Sequence, residues 1–178
     1  KAAQIQALRA RQDRTARHLR LLTQQLRPPI LAHFGLVKAL RAQVEQMRTV
    51  YEKPEIEIVT PAEPLELEDD ISLELYRICQ QALQNALQHA NARHIRIRLW
   101  TDAESVWLEV EDDGDGFAGP VQWLELARSG HFGMIGMLER AEALGGHLTV
   151  RSVPNEGTLI QVQAPLTRPT DTQFLREL

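Results

Sequence analysis

Residues 70–90 read DISLELYRICQQALQNALQHA, and their spacing decides the fold. Ile71, Leu75, Ile78 and Ala82 recur at three and four, which lays them on one helix face. The same face runs on into Asn85 and His89. Asp70 stands where an N-cap belongs. Cys79 sits among Leu75, Ile78 and Leu83 and reads as a small core residue. As the only cysteine, it excludes an internal disulfide and a paired-cysteine zinc site. Working outward, HIRIRLW (94–100) and SVWLEVE (105–111) alternate with period two, around a turn at Asp102-Ala103-Glu104. They predict two strands of a sheet covered on one face.

Further upstream, EIEIVT (55–60) predicts a strand, and PAEPLELEDD is a connector interrupted by Pro61 and Pro64. Val37, Leu40, Val44 and Met47 predict a helix over 35–48. Pro28-Pro29 is expected to end the helix before it, because proline lacks the N–H donor. That first helix, 1–26, has a narrow seam of Ile5, Leu8, Gln12, Thr15, Leu19, Leu22 and Leu26. Such a stripe cannot be buried by one helix, so we expect partner helices and a homodimer. Downstream, 114–131 reads as a loop with four glycines and a proline. A helix over 134–144 is closed by Gly145-Gly146. Strands at 147–153 and 158–164 complete the pattern, and the tail is peripheral. The element order predicts an α+β, two-layer sandwich: a mixed sheet with helices on one face. The expected division is a helix and neck at 1–34, a globular domain at 35–166 and a tail at 167–178.

At 178 residues, with 43% hydrophobic and 25% charged residues, the chain suits a soluble protein of one domain with an appendage, or of two small domains. A net charge of −4 gives no support to direct nucleic-acid binding. No apolar run reaches membrane-spanning length, and no signal peptide is visible. The expected location is cytoplasmic, or the cytoplasmic portion of a membrane sensor. The chain opens on Lys1, consistent with a piece of something longer.

Four features carry chemistry. Gln81, Asn85 and His89 are four apart and share a helix face. A carboxamide oxygen is a suitable hard ligand for Mg²⁺, which takes few protein ligands and shares the rest with phosphates. Alone, an asparagine there would more simply bridge a neighbour. The second feature, Asp112-Asp113-Gly114-Asp115-Gly116, ends a strand 27 residues after Asn85. A carboxylate there can accept from an exocyclic amine, and the glycines permit close backbone approach. A calcium loop starting at Glu111 fails, because its twelfth position is Gln122 and a strand leads in. Third, GHFGMIGMLERAEALGG (130–146) places glycines where a helix opens, a natural phosphate site. Fourth, Gly157-Thr158 enters the last strand.

In this order and spacing, LYRICQQALQNALQHANA, VEDDGDGF, GHFGMIGMLERAEALGG and EGT resemble the ATP-binding domain of sensor histidine kinases. That domain shares the Bergerat fold with gyrase, MutL and Hsp-type chaperone ATPases. The nearer resemblance, over roughly 10–166, is to the NarL/DesK-like subfamily, whose neck is visible as QLRPPILAHFGLVKAL. The resemblance implies ATP and Mg²⁺ as ligands, and phosphoryl transfer to a histidine outside this chain. It also implies a LuxR-type response regulator as downstream partner. By similarity Asn85 holds Mg²⁺, and Asp112 accepts from adenine with Gly114 and Gly116 shaping the wall. Gly133, Met134 and Gly136 belong to the glycine-rich box. Gly157 and Thr158 line the adenine side, and Gln88 and His89 face phosphates. Residues 117–132 should form a lid over the nucleotide.

The chain departs from the family at three points. Gln81 stands where the family usually has a catalytic Glu, Gln88 replaces a frequent Lys, and no histidine has the phosphoacceptor context. His18 precedes Leu19, His33 precedes Phe34 and His89 precedes Ala90. Gln81 therefore predicts weak catalysis with binding kept, since general-base help is worth roughly 10²–10⁴ in rate. An alternative reading is an ATP-binding pseudokinase that uses nucleotide only to set conformation. Of the remaining histidines, His94 is expected at the surface, His131 in the lid and His147 in a structural role.

Overall fold

A computed structural model describes residues 28–118 and 132–167. The expected 1–26 helix, most of the lid with His131, and the tail beyond 167 lie outside the described residues. Among these the chain runs α1 (Pro29–Val50), β1 (Glu55–Val59), α2 (Asp69–His89), β2 (His94–Thr101), β3 (Ser105–Asp112), α3 (Phe132–Ala143), β4 (His147–Val153) and β5 (Gly157–Pro165). The five strands form one mixed sheet in the order β1-β2-β3-β5-β4. Only the β1–β2 pair is parallel. This is the two-layer α+β architecture expected from the sequence.

Alternation builds the two faces of the sheet. Ile95, Ile97 and Leu99 of β2 lie inward beside Val106, Leu108 and Val110 of β3. Against them α2 buries Ile71, Leu75, Ile78, Cys79, Ala82 and Leu83. The opposite face is polar and tied by cross-strand pairs: Arg96–Glu57 at 2.9 Å, Gln161–Glu109 at 2.6 Å, and the Trp100 and Trp107 rings stacked 5.8 Å apart. Such pairs stabilise a sheet in the way that i,i+4 pairs stabilise a helix.

Three local expectations need correction. Helix α2 starts one residue early, so Glu68 is the N-cap residue and Asp70 lies within the first turn. Glu68 makes no side-chain cap bond; Asp69 and Asp70 instead place negative charge at the positive end of the helix dipole. Helix α1 begins at Pro29, not at 35. A proline that stops one helix also suits the first position of the next. The kink is at Gly35 (φ 77°), and Leu31 and Leu36 on either side of it are both buried in the same core. Helix α3 begins at Phe132 rather than 134. At its end, Gly146 N–H donates to Ala141 O at 2.9 Å, with Gly145 at φ 72°, as the paired glycines led us to expect.

No helix among the described residues is long and apolar enough to cross a membrane.

Candidate nucleotide site

Strand β3 delivers Asp112 at its last position, directly opposite Thr158 of β5. Beyond it the chain is fastened on two sides. Asp115 N–H donates to Ala90 O at the end of α2 (2.7 Å), and Asn155 N–H donates to Asp115 O from the β4–β5 turn (2.7 Å). Glycine is needed for so tight a passage. A Cβ on Gly114 would lie 2.1 Å from Ala90 O, and Gly116 combines φ 56° with a 2.1 Å approach to Val153 O. The loop therefore locks the end of β3 to the end of α2. Asp112 is then fixed relative to the helix that carries Asn85.

Between these elements opens a cavity of about 630 Å³, within the usual range for small-molecule sites. Gln81, Asn85, Gln88, His89, Asp112, Gly116, Gly133, Met134 and Thr158 all line it. Three sequence candidates do not. Gly114 acts behind the wall, Gly157 packs against Asp112 O, and Gly136 lines a neighbouring cavity. Sequence reasoning missed Ala82, Ala86 and Ile160, which also line the site. The two alanines flank Asn85 on its helix face, and small residues there leave room for a ligand. Phe117 (41% exposed) and Phe132 (72% exposed) stand in the wall as well. In the sequence, Phe117 and Phe132 bracket a stretch that carries Gly119 and Gly130, and that was the available signal.

The polar groups are held in definite orientations. Asp112 is 9% exposed, and its Oδ1 accepts from Gly114 N–H at 3.0 Å. Burial pushes its carboxyl above the ordinary aspartate range; the Gly114 and Thr158 N–H groups pull the other way. Gln81 Nε2 donates to Asn85 Oδ1 at 2.9 Å, and Asn85 Nδ2 donates to Met134 Sδ at 3.8 Å. Gly133 makes room for this arrangement, since a Cβ there would sit 2.6 Å from Gln81 Nε2. On the other side of β3, Asp113 faces away from the cavity. Its carboxylate accepts from the Arg93 and His94 N–H groups and from His94 Nδ1, at 2.7–2.8 Å. His94 is exposed, as expected for the start of a strand, and it pairs with Asp113.

No group of three or more His, Cys, Asp or Glu side chains capable of holding a metal occurs among the described residues. Asn85 Oδ1 has a second lone pair beyond the one that Gln81 uses. This donor set fits a divalent cation shared with phosphates, not one caged by protein alone.

Sheet, helices and pocket together define a nucleotide-binding domain. Residues 70–168 match the family described as histidine kinase-, DNA gyrase B-, and HSP90-like ATPase. The signal transduction histidine-protein kinase/phosphatase DegS of Brevibacillus brevis is 33% identical over 99 residues, 56% of this chain and 24% of that protein. UhpB of Salmonella typhimurium, of the same description, is 31% identical over 150 residues, 83% of this chain and 28% of that protein. Among solved structures, the mycobacterial sensor histidine kinase MprB shares the fold at a TM-score of 0.60 and 20% identity, covering 75% of this chain and 95% of that one. The chain belongs to the histidine kinase-, DNA gyrase B- and HSP90-like ATPases, and its relatives set it on the sensor histidine kinase branch as an ATP-binding domain. It spans about a quarter of the length of the first curated relatives it matches.

Proposed function

We propose that this chain binds Mg²⁺-ATP in the cavity between α2 and β3 and presents the γ-phosphoryl group to a histidine outside it. The observation that carries the reading is the pairing of a buried carboxylate and an oriented carboxamide in one cavity. Asp112 accepts from the adenine amino group, a bond that only the ionised carboxylate can receive without a competing proton. Thr158, with Gly157 behind it, lines the adenine side, and Gly114 and Gly116 hold that wall in place. Asn85 Oδ1 is the protein ligand to Mg²⁺. The metal, when bound, neutralises phosphate charge; the rest of catalysis is positioning. Gln88 and His89 face the phosphates, with Gly133, Met134 and Gly136 at the opening of α3.

Gln81 sets the rate. A glutamate there would only accept and would have some basicity; the amide both donates and accepts but has almost none. Transfer should be slow, and Gln81→Glu should raise it by roughly 10²–10⁴-fold if the carboxylate supplies general-base help. The relatives named above are kinases, and no observation favours a domain that only binds nucleotide. In the whole protein, the helix expected over 1–26 supplies half of a dimerisation hairpin, and a LuxR-type response regulator receives the phosphoryl group.

The test uses a longer chain carrying the upstream helix and γ-labelled ATP. Label on a histidine, lost with Asp112→Asn, is expected. Tight ATP binding with no transfer in either the natural chain or Gln81→Glu would contradict the kinase reading.

A further inference from the structure

A second cavity of about 250 Å³ lies between α2 and α3, beside the nucleotide site. The two share Gln81, Gly133 and Phe132, so Gln81 stands in their common wall. Their charges differ. No Lys or Arg lines the first cavity among the described residues, where His89 is the only basic group. Arg77 and Arg140 both line the second, with Gln80 and Gln84.

A triphosphate stays anionic with one divalent cation bound, so its terminal end requires cationic or donor groups. Along α2, Arg77, Gln81 and Asn85 follow at intervals of four and share a face. Each interval rises about 6 Å, within the reach of an arginine side chain from the turn below. Both forks are held in place. Arg140 Nη1 donates to Glu74 at 2.8 Å, and Arg77 Nη1 donates to Gln80 Oε1 at 3.1 Å. A guanidinium carries five donors, and both side chains line the cavity. Burial first, and then the Arg140 charge, lower the Arg77 pKa. An anion held by both side chains would offset the repulsion between the two guanidiniums. Gln81 matters here too: a carboxylate at that point would compete with an anion for the same guanidiniums, whereas an amide leaves the path neutral.

We propose that the second cavity is an oxyanion subsite continuous with the nucleotide pocket, in which Arg77 and Arg140 hold the terminal phosphoryl group of ATP. This rests on the ATP reading above and adds to it a source of discrimination between triphosphate and diphosphate. Without γ-oxygens, ADP leaves the subsite empty. Guanidinium–phosphate pairing is bidentate and charge-assisted, so its loss should be read in ATP affinity alone.

Calorimetry with Mg²⁺-ATP and Mg²⁺-ADP on the chain as it stands tests this. The natural chain is expected to prefer ATP. Arg77→Met keeps the apolar stem and should weaken ATP binding about tenfold, with ADP unchanged. Gln84→Glu, at an exposed position of α2 where folding is not at risk, puts a carboxylate into the same cavity and should reduce the ATP preference in the same direction. If ATP preference survives both substitutions, or if ATP and ADP weaken equally, the subsite is overturned while ATP binding stands. If the natural chain binds neither nucleotide, the ATP reading itself fails and takes the subsite with it.

Discussion

Gln81 Nε2 donates to Asn85 Oδ1 at 2.9 Å, and Asn85 Nδ2 reaches Met134 Sδ at 3.8 Å. These two contacts sort the ends of the Asn85 carboxamide, nitrogen toward α3 and oxygen toward Gln81. A glutamate at 81 could only accept, so it would attract the nitrogen end of Asn85 instead. The substitution therefore acts on the metal ligand as well as on basicity. Removing the ligand gives a direct prediction. Asn85→Ala should abolish the gain in ATP affinity that Mg²⁺ provides, leaving affinity with Mg²⁺ equal to that without. The measurement is a pair of titrations with and without the metal; an undiminished Mg²⁺ effect would place the ligand elsewhere. Asp112 works differently, as a carboxylate whose burial opposes its charge. A partner that donates to it, such as an adenine amine, offsets that cost.

At the scale of elements, the junction of β3 with α2 matters most. Ala90 O receives the Asp115 N–H and closely faces Gly114, so strand and helix ends move as a unit. Gly114→Ala should destabilise the domain by about 1–3 kcal/mol and weaken ATP binding, because backbone must shift on one side or the other. Chemical denaturation checks the first effect. A substitution with no change in either quantity would mean that the junction is looser than its geometry. Much of this level was legible in the sequence. The three-four spacing from Ile71 to Ala82 and the period-two alternation of β2 and β3 come from each element's own geometry. What escaped was tertiary. Pro28-Pro29 reads as a stop, yet the same missing donor suits a start, and burial of Leu31 decides for α1. The second cavity joins Arg77 to Arg140 across two helices distant in sequence, which no local pattern encodes. The direction of the Gln81–Asn85 hydrogen bond depends on Met134, brought in by α3.

Over the whole molecule, a polar sheet face and a buried helix layer divide the work of binding and stability. Acid should report on the polar side. Burial opposes ionisation of Asp113, but hydrogen bonds from His94 and Arg93 win and hold its pKa down to about 2. A depressed folded pKa means stability that is present above the unfolded value of about 3.9 and lost as pH falls toward 2. Denaturation midpoints should therefore drop over that window, less steeply in Asp113→Asn; an identical slope would remove Asp113 from the account. Asp112, raised rather than lowered, contributes in the opposite sense: its share of stability is fullest below the unfolded value and declines as pH rises through its folded pKa. The domain keeps this desolvated carboxylate in the wall of the nucleotide cavity, which is intelligible if a ligand needs it charged. Calorimetric titration of ATP with Mg²⁺ into the natural chain and into Asp112→Asn tests that claim most directly. The account predicts measurable binding to the natural chain and loss of at least tenfold in affinity on substitution, about 1.4 kcal/mol. Equal affinity in the two proteins would contradict it.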